Sequence, residues 1–325
     1  MMRNNDFNNN LIRLVPRTAF RLQLKKVLII GLGQLGFPVA KYMKERGFDT
    51  YGYDISTKAM EYAEKTAGIK LIDTDNNNFG SENFDVYILR VSTHNPDDIF
   101  SPKIDGLLSI ADKISKEANK DGALVSIEST VPVGTSKKVF EMLNHRLHVV
   151  HTPHRWYSLE EKEHGVNQLR VIGGVRDCCL RAGMQFYNSH SGVGESNETT
   201  FAPSKSLYEG LGIPMCSVSK VEVAELTKIT ENAHRYLQIA FAEDLYLYCQ
   251  ANNINFPELR DALNSKWNVN ILEPREGIGG HCLPKDTKMF LQSSNLRKSK
   301  ILTAAMEADQ DYRSFRSSIE KGSQE

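Results

Sequence analysis

Short contiguous apolar runs alternate with amphipathic stretches over the first two thirds of the chain. Lys26-Val27-Leu28-Ile29-Ile30 is a β-branched, apolar run of the kind found in a strand buried on both faces of a parallel sheet. Residues 39–47 follow as a short helix ending on glycine, and residues 50–53 as a second strand. The segments 86–91, 124–128, 148–153 and 169–174 repeat the strand pattern, with a helix predicted over 107–118. This alternation predicts an α/β fold with a Rossmann-like, doubly wound parallel sheet. Beyond residue 215 the pattern changes. Residues 221–251 form the longest helical pattern, with apolar positions at Leu226, Ile229, Ala233, Leu237, Ala240, Leu245 and Tyr248. Glu225, Lys228, Asn232 and Arg235 form a polar stripe at helical spacing on another face. About 30 residues of helix span roughly 45 Å. That is longer than a small domain needs, so the helix is expected to join two domains and to pack against a second copy of itself. The predicted organisation is a flexible extension over 1–24, a Rossmann-like domain over 25–215, an all-α domain over 216–310 and a polar, frayed tail over 311–325.

The first predicted strand runs directly into Gly31-Leu32-Gly33-Gln34-Leu35-Gly36, and the second ends on Asp54. A lone GxGxxG is weak evidence. Placed between a strand and a helix, with an acidic residue about 20 positions on, it is the dinucleotide fingerprint. Gly31, Gly33 and Gly36, with Gln34 and Leu35 between them, would bring a pyrophosphate onto the helix N-terminus. Asp54 would accept hydrogen bonds from the adenosine ribose. A carboxylate there repels a 2′-phosphate, so the expected cofactor is NAD rather than NADP. Ligands in an open α/β sheet bind outside the carboxyl ends of the strands. That rule gathers Ser92, Thr93, Thr130 and Pro153 around one crevice, and Thr130 stands out because Val131-Pro132-Val133-Gly134 fixes its backbone.

The densest candidate chemistry lies in Gly279-Gly280-His281-Cys282-Leu283-Pro284-Lys285-Asp286. Proline is favoured in the first turn of a helix, which places Cys282 at or just before a helix N-terminus. Free amide groups and the positive end of the helix dipole would favour the thiolate there, below the reference value of about 8.5. Lys285 adds positive charge, and Asp286, four residues on, falls on the same face. Gly279 and Gly280 allow a substrate to approach the backbone closely. Lys228 and Asn232 lie one helical turn apart, as two side chains converging on one substrate would.

Composition narrows the setting. Lys+Arg 40 against Asp+Glu 40 gives zero formal net charge over 325 residues, which argues against a nucleic-acid binder acting through bulk charge. No apolar run reaches the roughly 20 residues of a membrane span, and the Asn-rich start lacks a signal-peptide core. Five cysteines without framework spacing fit reduced thiols in a cytoplasmic protein. Cys178 and Cys179, adjacent at a predicted helix start, read as structural, and Cys216 and Cys249 as packing residues. No CxxC or histidine pair suggests a metal site.

Taken together, Gly31-Leu32-Gly33 with Asp54, Glu128-Ser129-Thr130-Val131-Pro132-Val133-Gly134-Thr135, residues 225–232 and Gly279 through Asp286 occur in the order found in one family. Over roughly residues 25–290 the chain resembles the UDP-glucose/GDP-mannose dehydrogenases. That resemblance implies oxidation of a sugar C6 alcohol to a carboxylate with two NAD. It makes Cys282 the nucleophile, carrying a thiohemiacetal and then a thioester. Lys228 would steady the oxyanion, Asn232 would hold the substrate oxygen, Asp286 would assist proton movement, and Thr130 would position the water or the C6 oxygen. Gly279, Gly280 and Arg155 join Lys228 and Asn232 as expected substrate contacts.

His151-Thr152-Pro153-His154-Arg155 and Asn167 through Gly174 look most like the UDP-N-acetylhexosamine branch, especially UDP-N-acetylmannosamine dehydrogenases. His154 stands where the family usually has glutamate. The family also carries a third, nucleotide-gripping domain, and this chain ends at Glu325. The expectation is that a separate chain supplies that domain or that the product is truncated. Two rival functions stand beside this one. A β-hydroxyacid dehydrogenase would need no Cys282, and a non-catalytic NAD-binding subunit would not need its intact surroundings.

Overall fold

A computed structural model of the protein describes residues 25–72, 78–95, 97–155, 165–188, 210–293 and 299–322. The expected extension over 1–24 lies outside the described residues. Ten strands and nine helices are seen among them: β1 (Lys26–Ile30), α1 (Gly36–Glu45), β2 (Asp49–Tyr53), α2 (Thr57–Ala67), β3 (Lys70–Leu71), β4 (Val86–Leu89), β5 (His94–Asn95) and β6 (Asp98–Pro102) come first. They are followed by α3 (Asp105–Glu117), β7 (Leu124–Ile127), α4 (Thr135–Met142), β8 (His148–His151), β9 (Arg170–Gly174), α5 (Asp177–Tyr187) and β10 (Met215–Ser217). The helical part comprises α6 (Val221–Ala251), α7 (Phe256–Asn264), α8 (Cys282–Gln292) and α9 (Lys300–Gly322).

Eight strands form one sheet in the order β10-β9-β8-β7-β4-β1-β2-β3. Its centre is parallel, with Ile30 level with Tyr53 and Leu89, and Ile127 level with Leu89 and His151. The carboxyl ends of β2, β1, β4, β7 and β8 therefore share one edge. Strand β9 reverses direction against β8, so that Gly174 faces Val150, and β10 runs parallel to β9. Val27, Leu28, Ile29 and Ile30 are buried, as a central strand covered on both faces requires. Each such side chain contributes roughly 1.5–3 kcal/mol.

The long helix has the predicted limits, Val221–Ala251, and packs on α8 and α9 as well as on β9. Two expectations need correction. The drawn boundary at residue 215 cuts through β10, because Met215, Cys216 and Ser217 add to the sheet beside β9. The segment from 311 onward is not a frayed tail, since α9 continues through Gly322. Its polar face misled the sequence reading: the inner side is anchored by buried Tyr312, whose hydroxyl donates to the Arg275 carbonyl at 2.7 Å. Among the described residues no helix is long and apolar enough to cross a membrane.

Candidate active site

The glycine turn has the shape a dinucleotide phosphate needs. Gly31 has a φ of 98°, and a Cβ on it would lie 2.5 Å from the Arg90 carbonyl oxygen. A Cβ on Gly36 would lie 1.7 Å from the Gly31 oxygen, so only glycine lets α1 start this close to β1. A Cβ on Gly33 would meet nothing, and Gly33, Gln34 and Leu35 are exposed at the tip of the turn. The N-cap of α1 carries no side-chain hydrogen bond. That open helix start favours an anion. Asp54 lies at the end of β2, as expected. Its Oδ2 accepts from the Leu32 amide at 2.7 Å and its Oδ1 from the Ser56 amide at 2.8 Å. Each oxygen keeps a lone pair for a ribose hydroxyl. The residues fit NAD.

Further along the same edge, Thr93 Oγ1 donates to the Thr130 carbonyl at 2.7 Å, tying the loop after β4 to the loop after β7. Ser92 Oγ lies 2.8 Å from His94 Nδ1. Helix α8 begins at Cys282, as the proline at its third position requires. Lys285 and Asp286 are buried. Lys285 Nζ donates to Asp286 Oδ1 at 2.6 Å and reaches Thr93 Oγ1 at 3.5 Å. Asp286 Oδ2 accepts from Asn232 Nδ2 on the long helix. Three parts of the chain thus meet at Asp286, with Cys282 one turn before it and Lys228 one turn before Asn232.

Cys282 departs from its expected state. The residue is exposed, yet partial desolvation by its surroundings raises the thiol above its ordinary value. The Asp286 carboxylate pushes in the same direction, and Lys285 and Lys228 oppose it. The expected thiolate rested on the helix end and Lys285; desolvation, with the Asp286 carboxylate one turn on, outweighs them.

Glu225, on the predicted polar stripe, is buried. Its carboxylate accepts from the Gly134 and Ser136 amides, each at 2.7 Å, and so caps α4 from the long helix. Burial raises its pKa, against the pull of those donors. Arg155 pairs with Glu231 of the long helix through two guanidinium nitrogens. His154 is buried, and its Nε2 lies 2.8 Å from Arg170 Nη2, which makes that nitrogen the acceptor. Burial, reinforced by Arg90, Arg170 and Lys228, holds its pKa well below the usual value, so the imidazole is neutral. Beneath it Glu128 pairs with Arg90 at 2.8 Å and Arg170 at 3.2 Å, and accepts from the Tyr187 hydroxyl at 2.7 Å. Two buried guanidinium groups therefore face one buried carboxylate, and neutral His154 does not offset the difference.

Gly279 and Gly280 are exposed, and a Cβ on either would meet nothing. The cysteine loop is held from behind by α9. Asp309 Oδ1 accepts from the Ile278 amide at 3.0 Å, Arg313 donates to the Ile278 carbonyl, and Tyr236 donates to Asp309 Oδ2 at 2.9 Å. None of Lys285's bridge, Glu225's cap or this clamp was foreseen from sequence. Only the spacing of Glu225 from Lys228 gave any sign.

Residues 62–191 match the NAD-binding domain of the UDP-glucose/GDP-mannose dehydrogenase family, and residues 222–311 match its central domain. The chain belongs to this family. Among family members, a UDP-N-acetyl-D-mannosamine dehydrogenase of Campylobacter jejuni is 28% identical over 321 residues, covering 90% of this chain and 73% of that protein. One from Methanococcus maripaludis is 26% identical over 309 residues, and there the match spans 90% of this chain and 66% of the relative. The solved UDP-N-acetyl-mannosamine dehydrogenase Cap5O of Staphylococcus aureus superposes with a TM-score of 0.69 at 26% identity, covering 92% of this chain and 71% of that one. The matched NAD-binding segment contains Thr93 and Thr130, and the glycine turn and Asp54 precede it on the same sheet edge.

Proposed function

We propose that the protein is an NAD-dependent nucleotide-sugar 6-dehydrogenase. Its substrate would be a UDP-sugar, UDP-N-acetylmannosamine or another UDP-N-acetylhexosamine, oxidised at the C6 alcohol to the uronate. The observation that carries this reading is the meeting of Cys282, Asp286, Asn232 and Lys228 beside a glycine turn fitted to NAD. NAD, when bound, supplies the hydride acceptor for each of two oxidations. At the aldehyde level the Cys282 sulfur would bond to the carbonyl carbon, and the thiol proton would pass to the carbonyl oxygen. The covalent bond keeps the aldehyde from escaping before the second oxidation. Water would then add to the thioester, and the carbon–sulfur bond would break to return the thiol and release the carboxylate. Lys228 is suited to stabilise negative charge on the reacting oxygen, and Asn232 to orient it. Asp286, held between Lys285 and Asn232, is suited to move the proton. Thr130 would align the water or the C6 oxygen.

At Cys282, Lys228 and Lys285 favour the thiolate, and desolvation and Asp286 oppose it. We further propose a homodimer through α6, supported by its exposed Phe241 and Tyr248, seven residues apart on one face. The expected location is the cytoplasm.

The test is NADH formation by the purified chain over a panel of UDP- and GDP-sugars. Two NADH per sugar are expected, with no net carboxylate from Cys282→Ser. One NADH per substrate, or normal turnover with Cys282→Ala, would replace this mechanism by a simple one-hydride dehydrogenase.

A further inference from the structure

We propose that His148, Cys178 and Cys179 form a binding site for a thiophilic transition-metal ion of the zinc type, on the sheet edge opposite Cys282. The fold builds this site from parts that the sequence keeps about 30 residues apart. His148 opens β8, and the reversed direction of β9 returns the chain to that same edge before α5 begins at Asp177. Cys178 and Cys179 occupy the first turn of α5, which packs on β8. The donor atoms of the three residues all lie within 4.8 Å of one another. Donors around a tetrahedral zinc ion, with bonds of about 2.0–2.3 Å, are separated by about 3.3–3.8 Å. Small side-chain rotations close the difference.

The chemistry of the set is selective. Two sulfurs and one imidazole suit zinc and its soft neighbours and reject magnesium or calcium, which take oxygen donors. Three protein ligands leave the fourth position to water. Cys179 is fully buried and forms the floor, whereas Cys178 is exposed and gives the ion a route in from solvent. The two sulfurs lie within 4.8 Å of each other. Binding would expel both thiol protons, so a divalent ion with two thiolates adds no net charge. That balance matters because Arg181 faces His148 and would repel a bare cation. An ion held there would staple β8 to α5 and stabilise the folded chain by mass action.

The full chain, reduced and freed of metal with a chelator, is titrated with Co²⁺ and then with Zn²⁺. One ion per chain is expected, with a thiolate-to-cobalt charge-transfer band that Zn²⁺ abolishes and a higher melting temperature with Zn²⁺. Cys178→Ser and His148→Asn should each weaken Zn²⁺ binding at least tenfold, whereas Cys282→Ser should leave it unchanged. Circular dichroism checks that each variant is folded, and the exposed Cys178 makes its replacement the milder one. Absence of the band, undiminished binding in folded Cys178→Ser and His148→Asn, or loss of binding in Cys282→Ser would each overturn the proposal.

Discussion

Replacing Glu243 with glutamine tests the electrostatics of the long helix. Glu243 lies in the middle of α6, fully buried, and neither carboxylate oxygen has a hydrogen-bond partner among the described residues. Burial is the largest cause that pushes its pKa from 4.5 up to about 8; Asp309 adds to the rise and Arg313 opposes it. Between those two values the folded chain holds a proton that the unfolded chain has lost. Stability is therefore fully present below 4.5 and falls as the pH climbs through about 8. A shift of this size corresponds to about 5 kcal/mol as a ceiling. Relaxation and water penetration reduce the expected loss to about 2–4 kcal/mol. Glutamine keeps the shape and cannot ionise. Its buried amide adds a cost that is the same at every pH, so the readout is the change in the gap between the two proteins. Equilibrium urea unfolding at matched protein concentration, at about pH 5 and about pH 8, measures it. All other titrations are shared and cancel. The gap should move by about 2–4 kcal/mol in favour of Glu243→Gln as the pH rises. Parallel profiles would mean that the carboxylate is solvated in solution, and the argument from its burial would fail.

Three further outcomes are expected. Glu225→Ala leaves the Gly134 and Ser136 amides without their acceptor, which should cost about 2–5 kcal/mol in urea unfolding; a loss under about 1 kcal/mol would show that water replaces the cap. Asp286→Asn removes a carboxylate that raises the Cys282 thiol, so iodoacetamide should label Cys282 faster than in the wild type near neutral pH, as followed by mass spectrometry. Unchanged or slower labelling would refute that coupling. Calorimetry should find NAD bound more tightly than NADP, with the gap narrowed in Asp54→Ala; equal affinities in the unaltered chain would show that this carboxylate does not face the ribose.

What the sequence determined by itself was local. The β-branched run before Gly31, the proline after Cys282 and the apolar spacing over 221–251 each constrain the backbone of their own segment, and the strands and helices formed there within a few residues. The same local rules placed the glycine turn and Asp54 at strand ends. Tertiary structure alone decided the rest, because it depends on pairs that no periodicity connects. Lys285 meets Thr93 across 192 positions, and Glu225 turns in from the long helix to cap a helix 89 positions away. The chain's polar C-terminal stretch is helical because buried Tyr312 ties it to Arg275. The thiol of Cys282 likewise depends on how much water its neighbours exclude and on which charges the packing brings to it. A sequence fixes which residues share one strand or helix face. The balance of desolvation, charge and hydrogen bonding at a site exists only once separate elements have met.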